Sequence, residues 1–207
     1  PVTIQPIVVQ SLLGLGRKPT VDIPALRKWL ADPRTALTAA VTEGVRAHVN
    51  KLRSGGLKFY GYALLPGEPY DIHSLVAVTN TEADIKVAST DEMYRYYRYS
   101  VDEWAHWEHE GFASANALLV ASKQQFDSMH TKDEDDFQMD EFEIAHANAL
   151  LEAVVRGLEA AKNGGAFGAP DPFLVVWISD SGHDMMPKSV RRLNSSAVAK
   201  EFMREFG

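Results

Sequence analysis

The longest uninterrupted apolar run, FLVVWI at residues 173–178, is strand-length and carries no polar alternation. A strand of that kind must be covered on both faces, so the run predicts a central strand of a sheet flanked by helices. It falls far short of the ~18–20 apolar residues of a membrane helix. The chain has 207 residues, 45% hydrophobic and 24% charged, which suits one substantial core and is too little for two ordinary domains.

The other elements follow from spacing. Asp22 and Pro24 open a short helix carrying Leu26, Trp29 and Leu30. Asp32 then Pro33 predicts a second start, an N-cap followed by proline at the first helical position. Its stripe Leu37, Val41, Val45, His48, Leu52 runs until Ser54-Gly55-Gly56. Strand-like runs at 57–66 and 71–80 flank the turn-forming GEPYD. Alternation over 93–99 predicts a further strand, with Tyr94, Tyr96 and Arg98 on one face and Arg95, Tyr97 and Tyr99 on the other. Ser100 and Glu103 have capping-box spacing, so a helix carrying Trp104 is expected from about Val101. Helices are indicated at about 112–129 and 138–162, a loop at 181–189, and a last helix from Ser196. This order predicts an α+β fold with a small, mostly antiparallel sheet packed against several helices. Residues 1–32 read as an N-terminal arm and short helix, and 33–207 as a single domain.

Candidate chemistry is sparse. The absence of cysteine removes disulfides, thiolate metal sites and a cysteine nucleophile. EWAHWEHE gathers His106, His109 and Glu110 but lacks His-Glu-x-x-His spacing, and reads as an exposed amphipathic turn with buried tryptophan. His48 and His146 lie in apolar stripes and read as hydrogen-bonded core residues. Asp180, Ser181, His183 and Asp184 follow the apolar strand without the Gly-x-Ser-x-Gly of a hydrolase elbow. No catalytic residue, metal ligand or cofactor motif is predicted, and the balance leans away from an enzyme.

Charge is more informative. Of a net −7, all is accounted for by seven acids between Asp133 and Glu143, which leave 21 acids against 21 bases. The chain offers no basic face for nucleic acid. The acidic segment, notably Asp133, Asp135 and Asp136, is expected to guide a basic protein partner. Arg95, Tyr97, Arg98, Glu103 and Trp104 are residue types of interface hot spots. The competing reading is that Arg95 or Arg98 pairs with an acid such as Glu103 and braces the turn. Two other functions fit the same residues. One is a small-molecule-binding or hydrolase pocket near Arg98 and His183; the other is a structural subunit of a larger assembly.

FYGYAL at 59–64, Asn80-Thr81, YYRYSVDEW at 96–104, GAFG at 165–168 and ISDSGHDMMPKSVRRLN at 178–194 occur in an order that resembles the bacterial DUF4303 family. The resemblance spans roughly 33–207 and includes Ser100, Glu103, Trp104, Ser189, Leu193 and Asn194. It implies a small acidic protein of immunity type, which neutralises a toxin by covering it, and it transfers no catalytic residue. With no basic residue before Arg17, the N-terminus has the wrong order for a signal peptide, so a cytoplasmic protein is expected.

Overall fold

The computed structural model describes residues 21–68, 71–130, 138–179 and 181–207. Helix α1 (Ile23–Leu30) starts as expected, with the Asp22 carboxylate accepting the Ala25 N–H at 3.0 Å. Helix α2 (Thr35–Ser54) starts later than Asp32-Pro33 suggests. Asp32 instead accepts the Arg34 N–H at 2.8 Å, an Asx turn that leaves Arg34 left-handed at φ 53° and the cap position to Arg34. The Arg34 guanidinium lies 3.9 Å above the Trp29 ring.

Strands β1 (Gly61–Glu68) and β2 (Asp71–Asn80) form an antiparallel hairpin with a bulge between Leu65 and Gly67. Short β3 (His106–Glu108) adds antiparallel to β2, and β4 (Phe173–Val176) adds parallel to β1. The order β3-β2-β1-β4 makes an α+β fold with a mixed, mostly antiparallel sheet. It also places the apolar strand at an edge, not the centre. The sequence showed that both faces are covered; it could not show what covers the edge. That edge is sealed by side chains from helix α6 (Met185–Leu193) and its cap. Asn194 accepts the Leu174 N–H at 2.9 Å and donates to the Leu174 carbonyl at 2.7 Å, while Ser189 Oγ accepts the Val176 N–H at 3.1 Å. Two polar side chains thus stand in for a missing neighbour strand. The loop predicted at 181–189 is accordingly short, because α6 begins at Met185.

Register partners share a sheet face. Tyr62, Thr79 and Leu174 face α2 and helix α5 (Glu141–Asn163), with helix α4 (Ala113–Met129) laid beside β2. Helix α5 opens with a capping box from Asp140 and Glu143. Helices α2 and α5 touch where Gly157 admits Val41; a Cβ there would sit 2.6 Å from it, and Thr42 Oγ1 donates to the Gly157 carbonyl. The opposite face buries Phe173 with Tyr99, Trp104 and Phe202, the last from helix α7 (Ser196–Phe206).

The aromatic run is helical: α3 (Tyr94–Tyr99) replaces the predicted strand. Six residues of alternating aromatics satisfy a helix equally well once Tyr96 stacks on Phe206 of α7 and Tyr99, three residues on, packs edge-on to Phe202. The expected helix from Val101 is a single 3-10 turn, Val101–Glu103, and the Ser100 side chain caps nothing. Glu103 is drawn to Lys86 instead. Trp104 follows that turn in extended conformation, and the predicted exposed turn EWAHWEHE becomes β3. No helix among the described residues is long and apolar enough to cross a membrane.

Candidate functional site

Most predicted site residues are drawn into architecture. Arg98 Nη1 donates to both Glu82 carboxylate oxygens at 2.8 and 2.9 Å and to Tyr94 Oη at 3.0 Å, with the guanidinium 4.2 Å from the Tyr60 ring centre. Burial alone would lower its pKa, but the Glu82 hydrogen bond and charge outweigh that and raise it. The Arg98 carbonyl accepts from Tyr60 Oη at 3.0 Å and from the Trp104 indole at 3.2 Å. Asn80 completes the knot, donating to Tyr60 Oη and accepting the Ala105 N–H. Trp104 is buried against Gly61, where any Cβ would overlap its ring. Arg95 pairs with Glu201 at 3.4 Å, and Tyr97 packs edge-on to Tyr96 beneath the Lys86 ammonium. Arg98 therefore braces the turn through Glu82, not Glu103.

The 3-10 turn after α3 meets the end of β4 through Asp102, which accepts from Trp177 Nε1 at 3.1 Å and Ser179 Oγ at 2.5 Å. No described contact joins Arg98 to His183. His183 Nδ1 accepts the Met185 N–H at 3.1 Å, and burial lowers its pKa. Asp133, Asp135, Asp136 and Asp180 lie outside the described residues. Within the acidic segment, Asp140 caps α5 and pairs with His130 at 2.7 Å. No group of three metal-ligand side chains converges among the described residues.

His146 and His48 are hydrogen-bonded core residues. His146 Nε2 meets Ser122 Oγ at 3.0 Å, and His48 Nδ1 meets Tyr62 Oη at 3.1 Å. His48 does something further, which its stripe position concealed. It lines a cleft of about 250 Å³ with Ala47, Lys51, Glu108, Glu110 and Gly111. Lys51 pairs with Glu108 at 2.5 Å; that bond raises the lysine pKa and lowers the glutamate's.

This cleft opens beside β3, the other edge of the sheet. There Trp107 is 43% exposed, yet it is held firmly: its indole N–H donates to the Trp104 carbonyl at 2.9 Å, and its ring stacks on His109. Sequence reasoning expected a buried tryptophan in this segment, which holds for Trp104 and not for Trp107. Its one available signal was a second tryptophan only three residues after Trp104, among acids and histidines. The edge offers a fixed aromatic plane on one sheet face and, on the other, a recessed imidazole beside the Lys51–Glu108 pair, with no nucleophile and adjacent base in either place.

No curated protein and no solved structure matches the chain. The family model described as "Domain of unknown function (DUF4303)" matches residues 41–195, from the middle of α2 to the cap of α7. That span contains the whole sheet, the Arg98 knot, the Ser189 and Asn194 edge seal, and the Trp107 edge. The chain belongs to the DUF4303 family.

Proposed function

We propose that the chain is a non-enzymatic protein-binding module of immunity type, which acts in the cytoplasm by covering a protein partner. One observation carries the reading: Trp107 is exposed on a sheet edge while its indole N–H is pinned to the Trp104 carbonyl. A rigid, half-exposed tryptophan loses little conformational entropy on burial, and tryptophan is among the residue types that dominate interface energetics. The Glu110 carboxylate just past β3, without an ion pair among the described residues, and a net charge of −7 favour a basic partner and fast encounter. A ligand pocket at Arg98 has less support, since Glu82 and Tyr94 occupy that guanidinium.

The test is affinity capture from lysate of the native organism, followed by affinity measurement with the purified partner. Trp107→Ala should weaken that complex by about ten-fold or more, with an unchanged urea unfolding midpoint. A partner held equally well by Trp107→Ala refutes the reading. Changing Asp133, Asp135 and Asp136 together to asparagine should slow association at low salt and leave dissociation unaltered.

A further inference from the structure

The His48 cleft is one end of a longer groove. A second cleft of about 480 Å³ shares Ala47, Glu110 and Gly111 with it and continues along α2 to Ala39. Helical rise is ~1.5 Å per residue, so the stretch from Ala39 to Lys51 spans about 18 Å, the length of five or six extended residues. The open wall from α2 is made of Ala39, Ala40 and Ala47, none of which reaches beyond Cβ, so another backbone can approach closely. The charges are not balanced. Glu43 is held by Arg46 and Glu108 by Lys51, which leaves the Glu110 carboxylate without an ion pair among the described residues.

His48 supplies the independent sign of a ligand. It is only 5% exposed and lines the cleft, and its Nε2 makes no hydrogen bond among the described residues. The Tyr62 hydroxyl is fully buried, and His48 Nδ1 is its one described hydrogen-bond partner. The phenol therefore donates to Nδ1, which places the imidazole proton on Nε2, directed into the cleft. Burial lowers the His48 pKa, so the ring is a neutral donor at physiological pH. A recessed neutral N–H next to a close-approach wall matches a peptide carbonyl.

We infer that the groove between α2 and residues 108–115 receives an extended, basic peptide segment of the protein partner, with His48 Nε2 donating to a backbone carbonyl and Glu110 meeting a cationic side chain. The inference rests on the partner-binding reading above and adds where and how the partner is read.

The probes are the heptapeptides acetyl-Ala-Lys-Ala-Lys-Ala-Lys-Ala-amide and its glutamate counterpart, titrated into ¹⁵N-labelled protein. The readouts are the His48 side-chain and Trp107 indole resonances. The lysine peptide should shift the His48 Nε2–H signal saturably, and Glu110→Lys should weaken it about three- to ten-fold. The glutamate peptide should leave His48 unmoved. Equal response to both peptides overturns the charge selection and the proposal with it. A shift at Trp107 without one at His48 overturns the groove and leaves the edge surface standing. No shift at millimolar lysine peptide also overturns the groove, whereas the Trp107→Ala capture result stands or falls separately.

Discussion

Replacing Asn194 by leucine keeps the side-chain volume close while removing every polar contact that closes the β4 edge. The amide accepts the Leu174 N–H at 2.9 Å and donates to the carbonyls of Leu174 and Val190 at 2.7 and 2.9 Å. Leu174 is fully buried, so its backbone N–H and C=O lose their edge partner together. A buried backbone group without a partner costs about 1–3 kcal/mol. Asn194 itself is half-buried, which lets water reach the nearer group, so the expected loss is about 2–4 kcal/mol. In urea, with a slope of about 2 kcal/mol per molar, the midpoint should fall by about 1–2 M. Amide hydrogen exchange localises the effect, because the Leu174 N–H should lose protection well before those of α5. Asn194→Asp should do no better than leucine: it retains an acceptor for Leu174 N–H but turns an oxygen toward two carbonyls. A cost below about 0.5 kcal/mol, or unaltered protection at Leu174, refutes the edge-seal argument.

Two further outcomes follow from geometry. Burial first, then the charges of Arg34 and Lys123, depress the His146 pKa from 6.5 to about 4. The unfolded chain thus takes up this proton first as pH falls. Stability from the neutral ring is full above pH 6.5 and is lost progressively as pH falls from 6.5 through about 4, with a total of about 3 kcal/mol. Urea midpoints at pH 7 and 4.5 should drop less in His146→Gln than in the parent; equal drops rule this out. Gly61→Ala drives a methyl into the Trp104 ring and should cost about 1–3 kcal/mol, with a changed near-ultraviolet tryptophan signal. A thermal midpoint equal to that of the parent would mean that the ring has room to retreat.

What could be read from sequence was local. The stripe of α2, the hairpin of β1 and β2 and the Asp22 cap each depend on residues within a few positions of one another, and each lies where expected. Apart from the Asx turn that delays α2, the failures turn on distant partners. Residues 94–99 became helical because α7 supplies rings for Tyr96 and Tyr99. Glu103 left its capping box for Lys86, seventeen residues away. At the site, the acids and aromatics of 103–110 stood out early, but exposure of Trp107 and burial of Trp104 cannot be told from composition. The His48 cleft was hidden for a similar reason, since its wall comes from residues 108–111, some sixty positions along the chain.

The parallel pairing of β1 with β4 has a temporal consequence. The hairpin can close as soon as residue 80 is made, because its contacts are local, but Gly61 must wait for Phe173 before its other side is paired. During synthesis β1 is therefore an open edge while residues 81–172 are made, and that segment must fold and dock before β4 can arrive. The last strand and the edge seal come from the same late stretch, residues 173–194, so sheet completion and protection of its rim occur in one step. A chain halted before Phe173 would retain the hairpin with β1 unpaired, the state most open to non-native strand addition.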